Sequence, residues 1–164
     1  MTEDKYRTSI AIVMPAGHVG ATPMSHCTVA FLGNTTEVDY TQAQAQRLVD
    51  RLGQLDFWTP TQRIRTHSVA YESFGVEKDI PVAILKRDER ILELRWRAEQ
   101  LMTDYGIDWS KTWDYTPHVT LTPGTIIDEL WRNGWDLNVS LRRPVLWWGN
   151  DRPQTKDLKA PFHV

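Results

Sequence analysis

The 164-residue chain sets 19 Lys and Arg against 21 Asp and Glu, a formal charge of −2, so it lacks the generally basic surface by which long duplex nucleic acid is gripped. Its length suits one domain with a substantial core, or two small lobes sharing one. No apolar run is long enough to cross a bilayer and the opening MTEDKYRTS is too polar for a signal peptide, so a protein of the cytoplasm without a membrane partner is expected.

In chain order, residues 9–14 (SIAIVM) form a β-branched run that should be a strand ending at Pro15. Gly and Pro punctuate 15–25 as a loop, in which His18 is either a substrate contact or a solvated loop histidine. A strand over 26–32 and a turn over 33–36 follow. A helix is expected over about 39–55, with Leu48, Val49, Leu52 and Leu55 at helical spacing. After the break at Pro60, residues 62–74 (QRIRTHSVAYESF) predict a strand with Ile64, Thr66 and Ser68 on one face and Arg63, Arg65, His67 and Val69 on the other. Arg65 and His67 could meet an anionic substrate, or simply face water; Tyr71 and Phe74 could be base platforms or core.

Residues 81–86 (PVAILK) give another strand, and 88–105 the clearest helix: Asp88 can cap it, Ile91, Leu94, Ala98, Leu101 and Tyr105 make its apolar stripe, and Gly106 follows. The stretch 106–117 carries Trp109, Lys111, Trp113 and Tyr115 directly into His118, while Pro117 favours extended geometry at Thr116. A short helix is expected over 125–133, with Thr125 and Asp128 as a capping box. Strands at 137–141 and 144–148, joined through Arg142 and Arg143, complete the pattern, and the tail from Asp151 should be a surface extension. Strands and helices in this mixture make an α+β fold.

Two stretches share a form: His26-Cys27-Thr28-Val29 and His118-Val119-Thr120-Leu121, 92 positions apart and each followed within six residues by a glycine, Gly33 and Gly124. In a strand His26 and Thr28 occupy one face, with Cys27 and Val29 on the other, and His118 and Thr120 repeat this. A pair of imidazoles can take a proton from an attacking oxygen and give one to a leaving oxygen, since the ordinary histidine pKa of roughly 6.5 lies near neutrality. A Thr hydroxyl beside each can hold a non-bridging phosphate oxygen. The pattern therefore points to phosphoryl transfer with His26 and His118 as acid and base and Thr28 and Thr120 binding phosphate. No cofactor is needed, and no His-x-His or neighbouring carboxylate set completes a metal sphere. The sole cysteine, Cys27, excludes an internal disulfide and a Cys-based zinc cluster; it is a nucleophile or, as free cysteines usually are, a small core residue.

At His26 to Gly33 and Pro117 to Thr122 the chain resembles the two-histidine (2H) phosphoesterases, the 2′-5′ RNA ligase-like phosphodiesterases, whose signature is a repeated His-x-Thr/Ser-hydrophobic motif. The resemblance implies a bilobal, pseudo-twofold fold, with antiparallel sheets lining a central cleft and helices outside. It implies a monomeric, metal-independent phosphodiesterase acting on cyclic or short oligonucleotides. Its substrates would be drawn from RNA 2′,3′-cyclic phosphates, 2′-5′ oligoadenylates, linear RNA 3′ ends, and the cyclic immune signals that phage anti-CBASS members degrade in the host cytoplasm. Loops beside the motifs shape the base pocket in that family, which makes Trp113 and Tyr115 the base-stacking candidates, with packing into the core as the alternative for both. Here Thr122-Pro123-Gly124 replaces a longer apolar run, so the second motif strand should end early. Two other classes stay open: a module that sequesters a nucleotide without cleaving it, and a structural domain in which His and Thr satisfy one another.

Overall fold

Alternate residues of the first strand settle the architecture. Ile10, Ile12, Met14 and Ala16 are buried in the main core, while Ala11 and Val13 join a separate small cluster with Trp147 on the opposite face. The structure, a computed structural model, describes residues 8–55, 63–107, 115–132 and 136–153. Within these it is an α+β fold of seven strands and three helices: β1 (Ser9–Gly17), β2 (His26–Asn34), α1 (Gln42–Leu52), β3 (Arg63–Phe74), β4 (Ile80–Leu85), α2 (Glu89–Asp104), β5 (His118–Thr120), α3 (Ile127–Arg132), β6 (Asn138–Arg142) and β7 (Val145–Trp148).

Every strand pairing is antiparallel. β1 pairs with β2, β2 with β5, β5 with β4, β4 with β3, β3 with β6, and β6 with the end of β1, so six strands form a closed circuit to which β7 adds beside β1. β1 runs to Gly17, three residues beyond Met14, where the strand was expected to end. The reason lies in its neighbours: β7 pairs with residues 10–13 and β6 only with 16–17, so Pro15, which has no N–H to donate, stands where one partner hands over to the next.

The helices cover one face. Thr41 caps α1 in a capping box with Gln44, and Ala45, Leu48, Val49 and Leu52 are its buried stripe. Asp88 caps α2 as its position suggested, accepting from the Arg90 N–H, and Ile91, Leu94, Ala98 and Met102 are buried. Leu101 is only half-buried and Tyr105 exposed, so the stripe turns onto Met102 in the last turn. These residues share one core with Cys27, Val29, Val119, Leu85, Ile64 and Leu141; truncating a fully buried leucine such as Leu94 costs about 2–5 kcal/mol. At α3 the expected capping box is absent: the Thr125 hydroxyl donates to the Thr122 carbonyl, 2.6 Å away, and the helix begins two residues later. No described helix is long and apolar enough to cross a membrane.

Candidate active site

β2 and β5 pair with Cys27 opposite Val119. An antiparallel ladder in that register sets His26 against Thr120 and Thr28 against His118. All four lie on the face turned away from the helices, because Cys27 and Val119, fully buried, take the core face. Directly opposed side chains have Cβ atoms about 5 Å apart and diagonal pairs about 7–8 Å. The imidazoles therefore hold one diagonal of a small square and the hydroxyls the other.

Both imidazoles are oriented in the same way. His26 Nδ1 lies 2.8 Å from the Met24 carbonyl and His118 Nδ1 lies 2.8 Å from the Thr116 carbonyl, in each case two residues earlier. A carbonyl only accepts, so Nδ1 carries the hydrogen and Nε2 is left to exchange a proton. Neither Nε2, nor the hydroxyl of Thr28 or Thr120, has a protein partner among the described residues. An aromatic ring steadies each imidazole: Trp147 against His26, with centroids 4.3 Å apart, and Phe74 edge-on to His118 at 4.8 Å. Burial pushes the His26 pKa below the ordinary imidazole value, and the nearby His118 and Arg152 push it the same way, against the opposing hydrogen bond to Met24. His26 is thereby held as the neutral imidazole.

No protein-family model and no curated protein matches this chain.

A cavity of about 970 Å³ opens on the His118 side of the square, bounded among others by Thr28, Phe31, Glu72, Phe74, Arg95 and His118. Phe31 is 63 % exposed, and it shares the site face for a local reason. The β1–β2 register runs Val13 to Thr28 and then Ile12 to Ala30, so Val29 is an inserted bulge residue that turns the next outward position to Phe31. Arg95 on α2 fixes the bulge by donating to the Val29 carbonyl at 2.8 Å. Phe31 went unnoticed in the sequence because a bulge leaves no mark in the alternation until partners are known.

Of the two stacking candidates, Trp113 lies outside the described residues. Tyr115 also borders the cavity, but its hydroxyl donates to the Thr28 carbonyl at 2.8 Å and its ring lies under the Arg95 guanidinium, 5.0 Å from centroid to Cζ. It props β2 from the side. Tyr71 is in the core, its hydroxyl accepting from Ser68. His18 is neither solvated nor in the square; it is buried at the end of β1 with Nδ1 on the Val19 carbonyl. Burial raises the Cys27 thiol pKa to about 11, which keeps it protonated and unreactive. Among the described residues no three His, Cys, Asp or Glu side chains converge as a metal-ligand set.

Proposed function

We propose that the protein is a metal-independent phosphodiesterase acting on a cyclic or short oligonucleotide, with His26 as general base and His118 as general acid. His26 Nε2 takes the proton of the attacking oxygen, from water or a neighbouring ribose hydroxyl, as that oxygen bonds to phosphorus. The bond from phosphorus to the leaving oxygen breaks, and that oxygen takes the proton from His118 Nε2. The Thr28 and Thr120 hydroxyls donate to the non-bridging oxygens, where charge builds up in the transition state. The observation that carries this reading is the square itself: two Nδ1–H tautomers set by backbone carbonyls on one diagonal, and two unspent hydroxyls on the other. The lowered pKa of His26 supports giving it the base role.

The same reading takes β2 and β5 as the centres of two pseudo-symmetric halves of a bilobal two-histidine phosphoesterase-like fold around one cleft. Matched hydrogen bonds and matched aromatic supports favour that symmetry. A cavity of about 970 Å³, large enough for a nucleoside, favours a nucleotide over a simple phosphoester. The substrates to test are cyclic dinucleotides and trinucleotides, a 2′-5′ oligoadenylate and RNA ending in a 2′,3′-cyclic phosphate, incubated with the protein in chelator and separated by chromatography. Loss of one substrate that depends on both His26 and His118 is the expected result. A ligand that binds and is recovered intact would replace the enzyme with a sequestering module.

A further inference from the structure

The cavity beside His118 has an apolar wall with charge at its rim. Phe31 and Val76 border it and both are exposed, an unusual state for large apolar side chains on one concave surface. Three ionised side chains border the same space: Glu72, Lys78 and Arg95. Arg95 is occupied, since it pairs with Glu99 at 2.8 Å and donates to the Val29 carbonyl at 2.8 Å. Glu72 and Lys78 are exposed, and among the described residues neither side chain takes part in a hydrogen bond or an ion pair. One unspent carboxylate and one unspent ammonium therefore stand on an apolar pocket that a histidine of the square also borders.

The β3–β4 hairpin sets both groups. Tyr71 is buried, so Glu72, the next residue of β3, is turned away from the core. The two strands stay paired as far as Phe74 and Ile80. Residues 75–79 make the tip, where the Lys78 N–H donates to the Gly75 carbonyl at 3.1 Å. Lys78 has φ +53°, and among the described residues it is the one non-glycine residue with a positive φ. Glycine would take that left-handed conformation without strain. A lysine held there costs the turn some stability, and what it supplies in return is an ammonium at the cavity rim.

A carboxylate can only accept hydrogen bonds and an ammonium can only donate them. Guanine is the base whose edge matches that pair. Its N1–H and N2 amino group donate side by side, which one carboxylate receives in bidentate fashion, and the adjacent O6 accepts from an ammonium. Adenine presents an amino donor beside the bare N1 acceptor, so one of its groups meets a group of its own kind. Uracil offers a single donor between two acceptors, and cytosine an amino group beside an acceptor, so neither fills the carboxylate. We infer that the cavity selects a guanine base, packed on Phe31, with Glu72 accepting from N1–H and N2–H and Lys78 donating to O6. That narrows the substrate class to guanine nucleotides with the guanosine on the His118 side, where the leaving oxygen departs. The position of the scissile phosphate rests on the phosphodiesterase reading above; the base preference is testable without turnover.

The test is calorimetric binding of ribonucleoside monophosphates, which contain no diester to cleave, to the native protein. The probes are the 5′- and 3′-monophosphates of guanosine, adenosine, cytidine, uridine and inosine. In one series or both, the guanosine form should bind about tenfold to a hundredfold tighter than the adenosine form, the range for one bidentate base contact. Inosine monophosphate lacks the N2 amino group and should fall between them. Glu72→Gln should bring guanosine and adenosine to within about threefold and erase the difference between guanosine and inosine. A merely structural role for Glu72 would weaken all bases alike and leave those ratios unchanged. Lys78→Gly deletes the ammonium and suits the left-handed backbone, so it should fold and narrow the preference by a smaller factor. No binding of any monophosphate, equal affinities for guanine and adenine, or a preference that Glu72→Gln leaves intact would each overturn the assignment. The two ideas fail separately. Guanine preference in a protein that cleaves no diester keeps the base site and removes the catalysis; histidine-dependent cleavage with no preference among bases keeps the catalysis and removes the base site.

Discussion

His26 and His118 share a motif, a bond to the carbonyl two residues earlier and a place on one diagonal, yet their surroundings differ. β2 is a nine-residue strand held between β1 and β5, with Trp147 packed on the imidazole. β5 has three residues, is entered from Pro117, and places His118 at the wall of the cavity. The repeated motif fixes which nitrogen is free, because the chain turns back onto Nδ1 in the same way twice. Solvation is set by the neighbouring strands, and there the two copies diverge. A desolvated imidazole resists a proton and suits a base; one at the edge of a pocket can deliver a proton to a leaving group there.

The largest effects should come from removing either end of the diagonal. His26→Ala and His118→Ala should each lower kcat/KM by about 10²–10⁴-fold, and the double variant should fall little further, since the proposed mechanism has the two act in one step. Steady-state rates for whichever substrate is cleaved would check this; activity within tenfold of wild type in either variant breaks the assignment. Thr28→Val and Thr120→Val keep the side-chain shape and delete the hydroxyl. Each should cost about tenfold to a thousandfold, mainly in kcat, because the donors serve charge that builds in the transition state. A change confined to KM would make them ground-state ligands instead.

Much of this contrast is legible in the sequence. Alternation alone puts His26 with Thr28, and His118 with Thr120, on one face, and Thr122-Pro123-Gly124 marks the early end of β5. That the two motifs are neighbours in register is not legible, because β5 finds β2 across 91 intervening residues by pairing, which leaves no local trace. The supports were hidden for the same reason. Trp147 reads as one of eight tryptophans until β7 is laid beside β1, and Phe31 reads as core until Val29 is seen to bulge. Tyr115 was half legible. Its place just before His118 in the chain puts it at the cavity wall, whereas the bond from its hydroxyl to β2 is a contact that sequence distance conceals.

A smaller effect tests what Trp147 does for His26. Trp147→Leu should let water reach the imidazole and return its pKa toward the ordinary 6.5. Protonated His26 cannot act as base, so the acid limb of the kcat/KM profile should move to higher pH. Activity near neutrality should fall by about twofold to tenfold, with the alkaline limb unmoved. NMR titration of the His26 ring in both proteins reads the same shift without turnover. An acid limb that stays in place would remove Trp147 from the account of why His26 is neutral.

The smallest effect is on stability, and its sign follows from the same burial. Folded His26 has a pKa below 6.5, so between that lowered value and the ordinary one the unfolded chain binds more protons than the native state. Stability must then fall as the pH drops through about 6.5, and this contribution levels off once the pH is below the folded value. His26→Gln removes the titration. The urea midpoint of the variant should therefore fall less steeply than that of the native protein between pH 7 and pH 5, whatever the offset between the two curves. If the curve of His26→Gln fell as steeply as that of the native protein, burial would not be what keeps His26 neutral, and the division into base and acid would lose its ground.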